Sequence, residues 1–440
     1  MRWRDSLSPV RMHRVALVAP AWLCQGMLVE VARSRAVELD LPYLPGCGPD
    51  ELDRAADAAI VSGPVTGLVG WAPVRGLSEL TESLAGLGAA VVPLARPRGV
   101  QPPTLLKNAG QQGGSRILVD TYGTVPYADL DPSRVAGLAY LLMFGMMFGD
   151  VGQGALLLAA GLLLRSGRIS RLDKLRRIWR FVAGAGLASM AFGVLYGEAF
   201  GPTGLVPVVW LEPVSHATSL LLAALMFGAV LLGGAYALGT INRAREGGWA
   251  YALYAPSGVA GFVLFASVGL LAWGLTGGIA PLVRVAAVLC LAALVLIFIG
   301  LFAEAGGGGT GLIQAFVELA DTVIRLGSNL VSFARLAAFG LMHAALMLVV
   351  WRGTTALRGA GWRAVAAVLV FVLGNALAFA LEALVAGIQA LRLEYYELFS
   401  RIFQVEGRPF HPWSPVLSLE GPSEASAAEY SDQLLRKVSP

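Results

Sequence analysis

Residues 328–348 read SNLVSFARLAAFGLMHAALML, a stretch long enough to lie within a bilayer. It carries one arginine, Arg335, and His343 follows two helical turns later. Because a guanidinium group keeps its charge at physiological pH, burying it in a membrane is costly unless it faces a partner or water. Arg335 is therefore a candidate functional residue. The alternative is an arginine near a helix end whose head group reaches the membrane surface.

Composition indicates a membrane protein with several spans. Of the 440 residues, 56% are hydrophobic and 14% are charged, and the mean hydropathy is +0.67. The formal charge of +4 comes from short basic runs beside apolar segments, so nucleic acid is not an expected partner. Cys24, Cys47 and Cys290 are too widely spaced for a metal motif, and no cofactor or metal is expected.

Residues 1–130 are predicted to form a small cytoplasmic α/β lobe and a linker. The basic start and the apolar run after it resemble a signal peptide, but Pro20 interrupts the run, and a strand entering a helix is the preferred interpretation. A Pro/Gly-rich break lies near 41–53, and residues 97–115 form the linker. The apolar pattern predicts strands at 15–18, 65–71 and 89–94 and helices at 22–39 and 76–87.

Residues 131–405 are predicted to form a mainly α-helical membrane domain with eight helices. Residues 134–164 are almost continuously apolar, and one helix of that length would measure about 46 Å, too long for one span and too short for two. FGDVGQG at 148–154 therefore predicts a hairpin of two short helices. The other six are predicted at 178–200, 216–241, 251–275, 279–302, around the opening stretch, and at 363–403, the last two being long and tilted.

Charge predicts the orientation of these helices. The loop at 165–180, RSGRISRLDKLRRIWR, is the most basic and should be cytoplasmic, whereas 201–215 has no Lys or Arg and suits the outer side. The lobe, the NRAREGG loop at 242–248 and the polar tail at 406–440 are then cytoplasmic, in a prokaryotic plasma membrane. EAGGGGTG at 304–311 is a flexible connection. No GxxxxGK[ST] sequence occurs, so no ATP site is expected.

Polar residues in the last helix follow one stripe. Asn375, Glu382 and Gln389 are seven residues apart, and Arg392 lies one turn further on. The stripe is typical of an aqueous channel wall, while interhelical packing remains an alternative, especially for Asn375. Five other polar side chains have two possible roles. They could take part in ion passage, or they could have an ordinary structural role as a helix cap, a hydrogen-bonding residue or part of a solvated face: Asp150, Glu198, His343, Glu318 and Asp321.

Several motifs together resemble one family. SNLVSFARLAAFGLMHA resembles the arginine-bearing helix of the large membrane subunit of V-type and archaeal-type rotary ATPases, called subunit a or subunit I. PPTLLKN resembles the family's entry to the membrane, and LMFGMMFGDVGQG resembles its first hairpin. FGVLYGEAFG resembles the third helix, and LEALVAGIQALRLEYYELFSRIFQVEGRPFHPW resembles the last helix. These matches run in the family's order.

The resemblance implies a stator subunit that lies against a ring of proteolipid c subunits and assembles with central-stalk and peripheral-stalk subunits. Arg335 would face each ring carboxylate and favour its ionised form, and Arg392 would support it. This barrier would separate two ion half-channels. The cytoplasmic one would be lined by Asp321, Glu318 and Ser328, and the outer one by Glu382, Gln389, Glu198 and Asp150, with His343 close to the interface.

The sequence departs from the family at two places. Phe333 and Ala334 stand where the family usually has tyrosine and a branched apolar residue, and the break near 41–53 stands in place of a long coiled-coil arm. Two other functions fit a buried arginine with a carboxylate stripe: a secondary transporter, although no internal repeat is found, and an assembly scaffold that conducts no ions.

Overall fold

The computed structural model describes residues 8–41, 51–97, 100–106, 113–168, 170–403 and 407–415. They form two compact units. The lobe unit contains Val10–Leu105 and the chain from Arg408 onward. The membrane unit contains Leu106–Gly407 and the described residues before Val10, which are Ser8 and Pro9. Cys47, most of the break near 41–53 and the polar tail from residue 416 onward lie outside the described residues.

The lobe unit is built on a five-stranded antiparallel sheet of order β2-β4-β1-β5, in which β3 also pairs with β4. Every second side chain of the central strand, Val15, Leu17 and Ala19, is buried, which is the pattern of a strand with one covered face. The strands are β1 (Met12–Pro20), β2 (Glu38–Leu39), β3 (Ile60–Ser62), β4 (Val65–Pro73) and β5 (Ala90–Leu94), and the helices are α1 (Cys24–Ser34), α2 (Glu51–Asp57) and α3 (Leu77–Gly86).

The three predicted strands are confirmed, but the helix predicted at 22–39 is too long. α1 ends at Ser34 because Arg35 adopts a left-handed conformation (φ 48°), and the chain then forms β2. The segment Arg408–Trp413, which sequence reasoning placed in a polar tail, packs in the lobe unit instead: Trp413 is buried in its core, and its N–H group donates to the Val37 carbonyl at 2.8 Å.

The membrane unit begins with a packed group of helices: α4 (Gly113–Tyr122), α5 (Ser133–Met147), α6 (Val151–Ser166) and α7 (Trp179–Tyr196). The predicted break between two short helices is confirmed, since α5 ends before and α6 begins within FGDVGQG. α6 and α7 cross at Gly154 and Gly186, where a Cβ atom on either glycine would overlap the backbone of the other helix. Small residues allow this close approach between membrane helices.

Seven further helices follow: α8 (Ala217–Tyr254), α9 (Val259–Thr276), α10 (Ala280–Glu304), α11 (Gly308–Ser332), α12 (Ala334–Ala356), α13 (Trp362–Leu393) and the short α14 (Ser400–Ile402). A π-helical segment, Glu394–Phe399, joins α13 to α14. Within the described residues, six helical stretches are long and apolar enough to cross a membrane, and α5 and α6 are shorter apolar helices. The mainly α-helical fold is thus confirmed.

Two predicted connections are wrong. NRAREGG lies inside α8, because the four residues Arg243–Glu246 form helix readily and the helix breaks only at Gly248 (φ 83°, ψ 179°). The glycine-rich segment predicted as a flexible connection is a tight turn: Gly306, Gly307 and Gly308 all have positive φ, and α11 begins at the third of them. Only glycine adopts such a run of left-handed residues easily.

Candidate functional site

Arg335 is the second residue of α12, directly after a bend that separates this helix from α11. Phe333 makes the bend. Its side chain is fully buried against Gly228 of α8, where a Cβ atom would overlap the phenyl ring. This contact anchors the residue that joins α11 to α12, two positions before Arg335.

The Arg335 guanidinium group is only partly covered by protein. Its Nη1 atom is buried and has no hydrogen-bond partner among the described residues. The charged side chains that interact with it are Arg392, at the end of α13, and Glu397, in the π-helical segment. Glu397 interacts with both arginines. One carboxylate shared by two guanidinium groups leaves an excess of positive charge at this position.

The π-helical segment places two acids that sequence reasoning missed, Glu394 and Glu397. Both are buried, and Oε2 of each lacks a hydrogen-bond partner in the described part of the chain. π-helical turns are rare and often mark functional sites. The available signal was the pair of acids three residues apart directly after Arg392, but an ordinary helix was assumed to continue there.

A second group of polar residues forms a row of acid, imidazole and acid. His343 of α12 is hydrogen-bonded through Nδ1 to Oε2 of Glu382 on α13. On the other side of the ring, Nε2 lies 3.9 Å from Oε2 of Glu198, which follows α7. No side chain in this Glu198–His343–Glu382 row is more than 10% exposed. Three elements distant in sequence therefore bring these groups together.

The row has an open space at each end. A cavity of about 150 Å³ borders Glu198 and is also lined by Glu212 and Tyr196. At the other end, a groove of about 320 Å³ between α12 and α13 is lined by Glu382 and by apolar side chains such as Leu346 and Leu377. The row thus connects a cavity that contains carboxylates with an apolar groove.

Asp150 and Asn375 hold helices in place beside the row. Asp150 is the N-cap of α6, and its carboxylate accepts hydrogen bonds of 2.9 Å from the backbone N–H groups of Gln153, Phe200 and Gly201. Asn375 accepts a 3.4 Å hydrogen bond from the Gln153 side chain, which sequence reasoning did not single out. These contacts are those of a helix cap and of interhelical packing.

The remaining predicted residues lie apart from the row. Gln389 is half-buried on α13, and its Oε1 atom has no hydrogen-bond partner within the described residues. Asp321 pairs with Arg325 at 2.5 Å, and Glu318 accepts a 2.9 Å hydrogen bond from Gln314. Asp321 and Ser328 are exposed on α11, and Glu318 is half-buried there. The acids of α11 therefore bond within their own helix.

A metal site at the row fits poorly. The ligand atoms of Asp150, Glu198 and His343 lie within 4.8 Å of one another. However, Asp150 already accepts three backbone hydrogen bonds, and Nδ1 of His343 is bonded to Glu382. Only Glu198 and Nε2 remain open, fewer ligands than a zinc site uses. The arrangement suits proton exchange between neighbouring groups better.

Comparison with known proteins finds similarity to one family. A model of the V-type ATPase 116 kDa subunit family matches residues 65–207. A-type ATP synthase subunit I of Pyrococcus horikoshii is 26% identical over 365 residues, which cover 79% of this chain and 53% of that protein. The corresponding subunit of Aeropyrum pernix is 29% identical over 347 residues, 68% of this chain and 49% of the relative.

A human relative matches a smaller part of the chain. V-type proton ATPase 116 kDa subunit a 3 is 30% identical over 154 residues, which cover 32% of this chain and 19% of that protein. The chain spans about half the length of the archaeal relatives that it matches. The family model and the archaeal relatives support the V-type ATPase 116 kDa subunit family, together with subunit I of the A-type ATP synthases, as the family of this chain.

Proposed function

We propose that this chain is the stator subunit of a V/A-type rotary ATPase and conducts ions past a rotating ring of proteolipid c subunits, with Arg335 facing the ring. The observation that carries the proposal is the partly exposed Arg335, whose Nη1 has no hydrogen-bond partner within the described chain. Exposed apolar side chains lie close in sequence to Arg335 and to Arg392: Val331 is 65% and Ile388 is 55% accessible. A carboxylate on another subunit would complete this surface.

The arginine would act as a barrier between two half-channels. A guanidinium group within about 4 to 6 Å of a ring carboxylate favours its ionised form, so the carboxylate releases its proton there. The proton then leaves on one side, and the next arrives from the other after the ring has turned. Glu397 attracts the Arg335 guanidinium group and Arg392 repels it. The two together hold the positive charge of Arg335 in place.

The Glu198–His343–Glu382 row would form the outer half-channel. Glu198 Oε2, His343 Nε2 and Glu382 Oε1 are buried and lack hydrogen-bond partners among the described residues. Water commonly satisfies such groups. An imidazole accepts a proton at one nitrogen and releases another from the second, whereas it offers no passage to Na⁺. The row therefore favours H⁺ as the ion, delivered through the Glu382 groove to the ring.

The cytoplasmic half-channel would run along α11. Asp321 and Ser328 are exposed and Glu318 is half-buried on a helix whose apolar side chains are exposed too, including Phe316 at 67% and Ile324 at 69%. These polar side chains lie on an otherwise apolar surface of α11. Once the ring covers that surface, they would line a water-filled channel. Gln389 continues the polar stripe of α13 from Glu382 toward Arg392, while Asp150 and Asn375 position the helices around it.

The experiment is ATP-driven proton uptake by vesicles that contain the purified complex, followed with a pH-sensitive dye. Arg335→Ala should abolish uptake, while mass spectrometry finds the proteolipid and the head subunits still bound. The matched control is Arg284→Ala, which removes an exposed arginine at the start of α10. Unchanged uptake in Arg335→Ala would refute the barrier, and a chain recovered without proteolipid would refute the assembly.

The outer path is tested by Glu382→Gln, which keeps the shape of the side chain and removes its proton exchange. Uptake should fall on the order of 100-fold, the usual effect of losing a positioned proton-transfer group. Glu304→Gln serves as the control because Glu304 is exposed at the end of α10. Full uptake in Glu382→Gln would place the path elsewhere, even if Arg335 proved essential.

A further inference from the structure

The connection between α12 and α13 carries an unexplained positive charge. Arg352, Arg358 and Arg363 lie within twelve residues, and no Asp or Glu occurs between Asp321 and Glu382. In the orientation proposed from the basic loop at 165–180, this connection faces the outer side of the membrane, where few arginines are expected. Orientation therefore does not account for these arginines, and a local function is needed.

Two of these arginines stand at the mouth of an apolar groove. The groove has a volume of about 390 Å³ and lies between the end of α12 and the first turns of α13. Its floor is Ala364, Ala367 and Phe371, Trp351 forms a wall, and Arg358 lines the opening. Arg363 reaches the same opening, because its Cδ would lie 3.2 Å from a Cβ atom placed on Gly359, another lining residue.

Aromatic rings orient both guanidinium groups. Arg358 lies over the ring of Trp351 at 5.5 Å, and Arg363 lies over the ring of Trp362 at 6.0 Å. Neither forms an ion pair with an acidic side chain in the described part of the chain. A guanidinium group stacked on an aromatic face keeps its N–H edge free for an anion, and tryptophan is typical of the membrane–water interface.

We propose that this groove and its two arginines bind one anionic phospholipid, whose phosphate lies between Arg358 and Arg363 and whose acyl chain fills the groove. Charge and polarity match the two parts of such a lipid: cationic N–H donors stand at the level of the head groups, and apolar side chains continue from them toward the centre of the membrane. A free phosphate ion would match only the arginines. Basic pockets between membrane helices bind anionic lipid head groups on the cytoplasmic side of membranes, and the same chemistry applies in any leaflet that contains anionic lipid.

The test uses the full chain in lipid nanodiscs that contain equal amounts of phosphatidylglycerol and phosphatidylcholine, followed by extraction and native mass spectrometry of the lipid that stays bound. The wild-type chain should retain phosphatidylglycerol in preference to phosphatidylcholine. In Arg358→Gln/Arg363→Gln the preference should fall by roughly fivefold for each arginine, the usual effect of one basic residue near anionic lipid. Arg284→Gln, an exposed arginine at the start of α10, is the control.

A second variant separates a lipid from a free anion. Ala367→Leu fills the floor of the groove and leaves both arginines in place, so it should also lower phosphatidylglycerol retention. Added inorganic phosphate should not restore the retention of phosphatidylglycerol to the wild-type level. Equal retention by the double arginine variant and the wild type would overturn the proposal. So would an equal loss in Arg284→Gln, which would indicate a general effect of surface charge, or full retention in Ala367→Leu, which would indicate a site for phosphate alone.

Discussion

At the scale of single residues, His343 combines burial with two acidic neighbours. One nitrogen of its ring is bonded to Glu382, and the other faces Glu198 at 3.9 Å. A proton taken up at one nitrogen can therefore leave from the other without any movement of a helix. The Phe148 ring packs against the imidazole at a tilt of 56°, with the two ring centroids 5.1 Å apart.

Asp129 is a second buried acid with an unusual environment. It is fully buried in the loop before α5, 4.0 Å from Arg243 of α8, and neither of its oxygens has a hydrogen-bond partner among the described residues. Burial, together with the neighbouring Glu246 carboxyl, raises the pKa of Asp129 to about 8, against the effect of Arg243 and Arg245. Asp129 should therefore be protonated in the folded protein at neutral pH.

This raised pKa predicts that the protein loses stability as the pH rises. In an unfolded chain Asp ionises near pH 4, so between about pH 4 and pH 8 the folded state holds a proton that the unfolded state has released. The melting temperature of the wild type should therefore be lower at pH 8 than at pH 5, and Asp129→Asn should reduce this difference. Circular dichroism of the protein in detergent measures both.

Asp120→Asn is the matched control for this prediction. Asp120 is an exposed residue of α4 that pairs with Arg116 at 2.7 Å, so its loss should leave the pH dependence unchanged. If Asp129→Asn keeps the full difference between pH 5 and pH 8, the acid responsible lies elsewhere in the chain.

The sequence predicted the important residue types better than their contacts. Arg335, His343 and Glu382 could be found because charged or titratable groups are rare in apolar segments. Their partners could not be found, since Glu382 and His343 are 39 residues apart and meet only through the packing of α12 on α13. Glu397 was missed because its position depends on a π-helical turn, which no residue pattern predicts reliably.

At the scale of elements, the contact between α6 and α7 depends on the absence of side chains. Gly186→Leu should destabilise the protein by about 1–3 kcal/mol or more, because a Cβ atom there would overlap the backbone of α6 at Leu158 and Gly154. Unfolding in a titration with sodium dodecyl sulfate, followed by circular dichroism, measures the loss.

Gly234→Ala provides the comparison for this change. Gly234 is a glycine of α8 with no atom within 4 Å of an added Cβ, and alanine favours the helix, so this variant should be as stable as the wild type or slightly more stable. If Gly186→Leu unfolds at the same detergent concentration as the wild type, the two helices do not depend on this close contact.

The sequence predicted helix boundaries correctly where the length of an apolar segment determines them, and incorrectly where the helix propensity of a few residues determines them. The break at 148–154 followed from length alone, and α5 and α6 confirm it. The charges of NRAREGG predict a loop in a membrane protein, but Arg and Glu are good helix formers, and α8 extends through them. β2 and β3, with two and three residues, are too short to produce a pattern.

At the scale of the whole molecule, the number and direction of the spans can be tested by labelling single cysteines. In a background without Cys24, Cys47 and Cys290, Ser166→Cys should react with a membrane-impermeant maleimide only from the cytoplasmic side. Leu205→Cys and Ala360→Cys, both at exposed positions, should react only from the outer side. This pattern is expected if α5 and α6 form a hairpin that returns to its starting side.

Two kinds of sealed vesicle, with opposite orientation, make the labelling decisive. Detergent-permeabilised vesicles are the control, because every cysteine should react in them. Reaction of positions 166 and 205 from the same side would mean that α7 does not cross the membrane, and reaction of position 166 from the outer side would reverse the proposed orientation.

The two ends of the membrane unit are joined to each other. The N–H group of Gly407 donates to the Thr124 carbonyl at 2.8 Å, and Asn242 of α8 both accepts from the Leu130 N–H group and donates to the Ile402 carbonyl. In mechanical terms, several hydrogen bonds link both chain segments to each other and to α8, so a force on one segment is shared with the other. The stator role proposed for this chain would require resistance to torque, and such a joint would add stiffness without a crosslink.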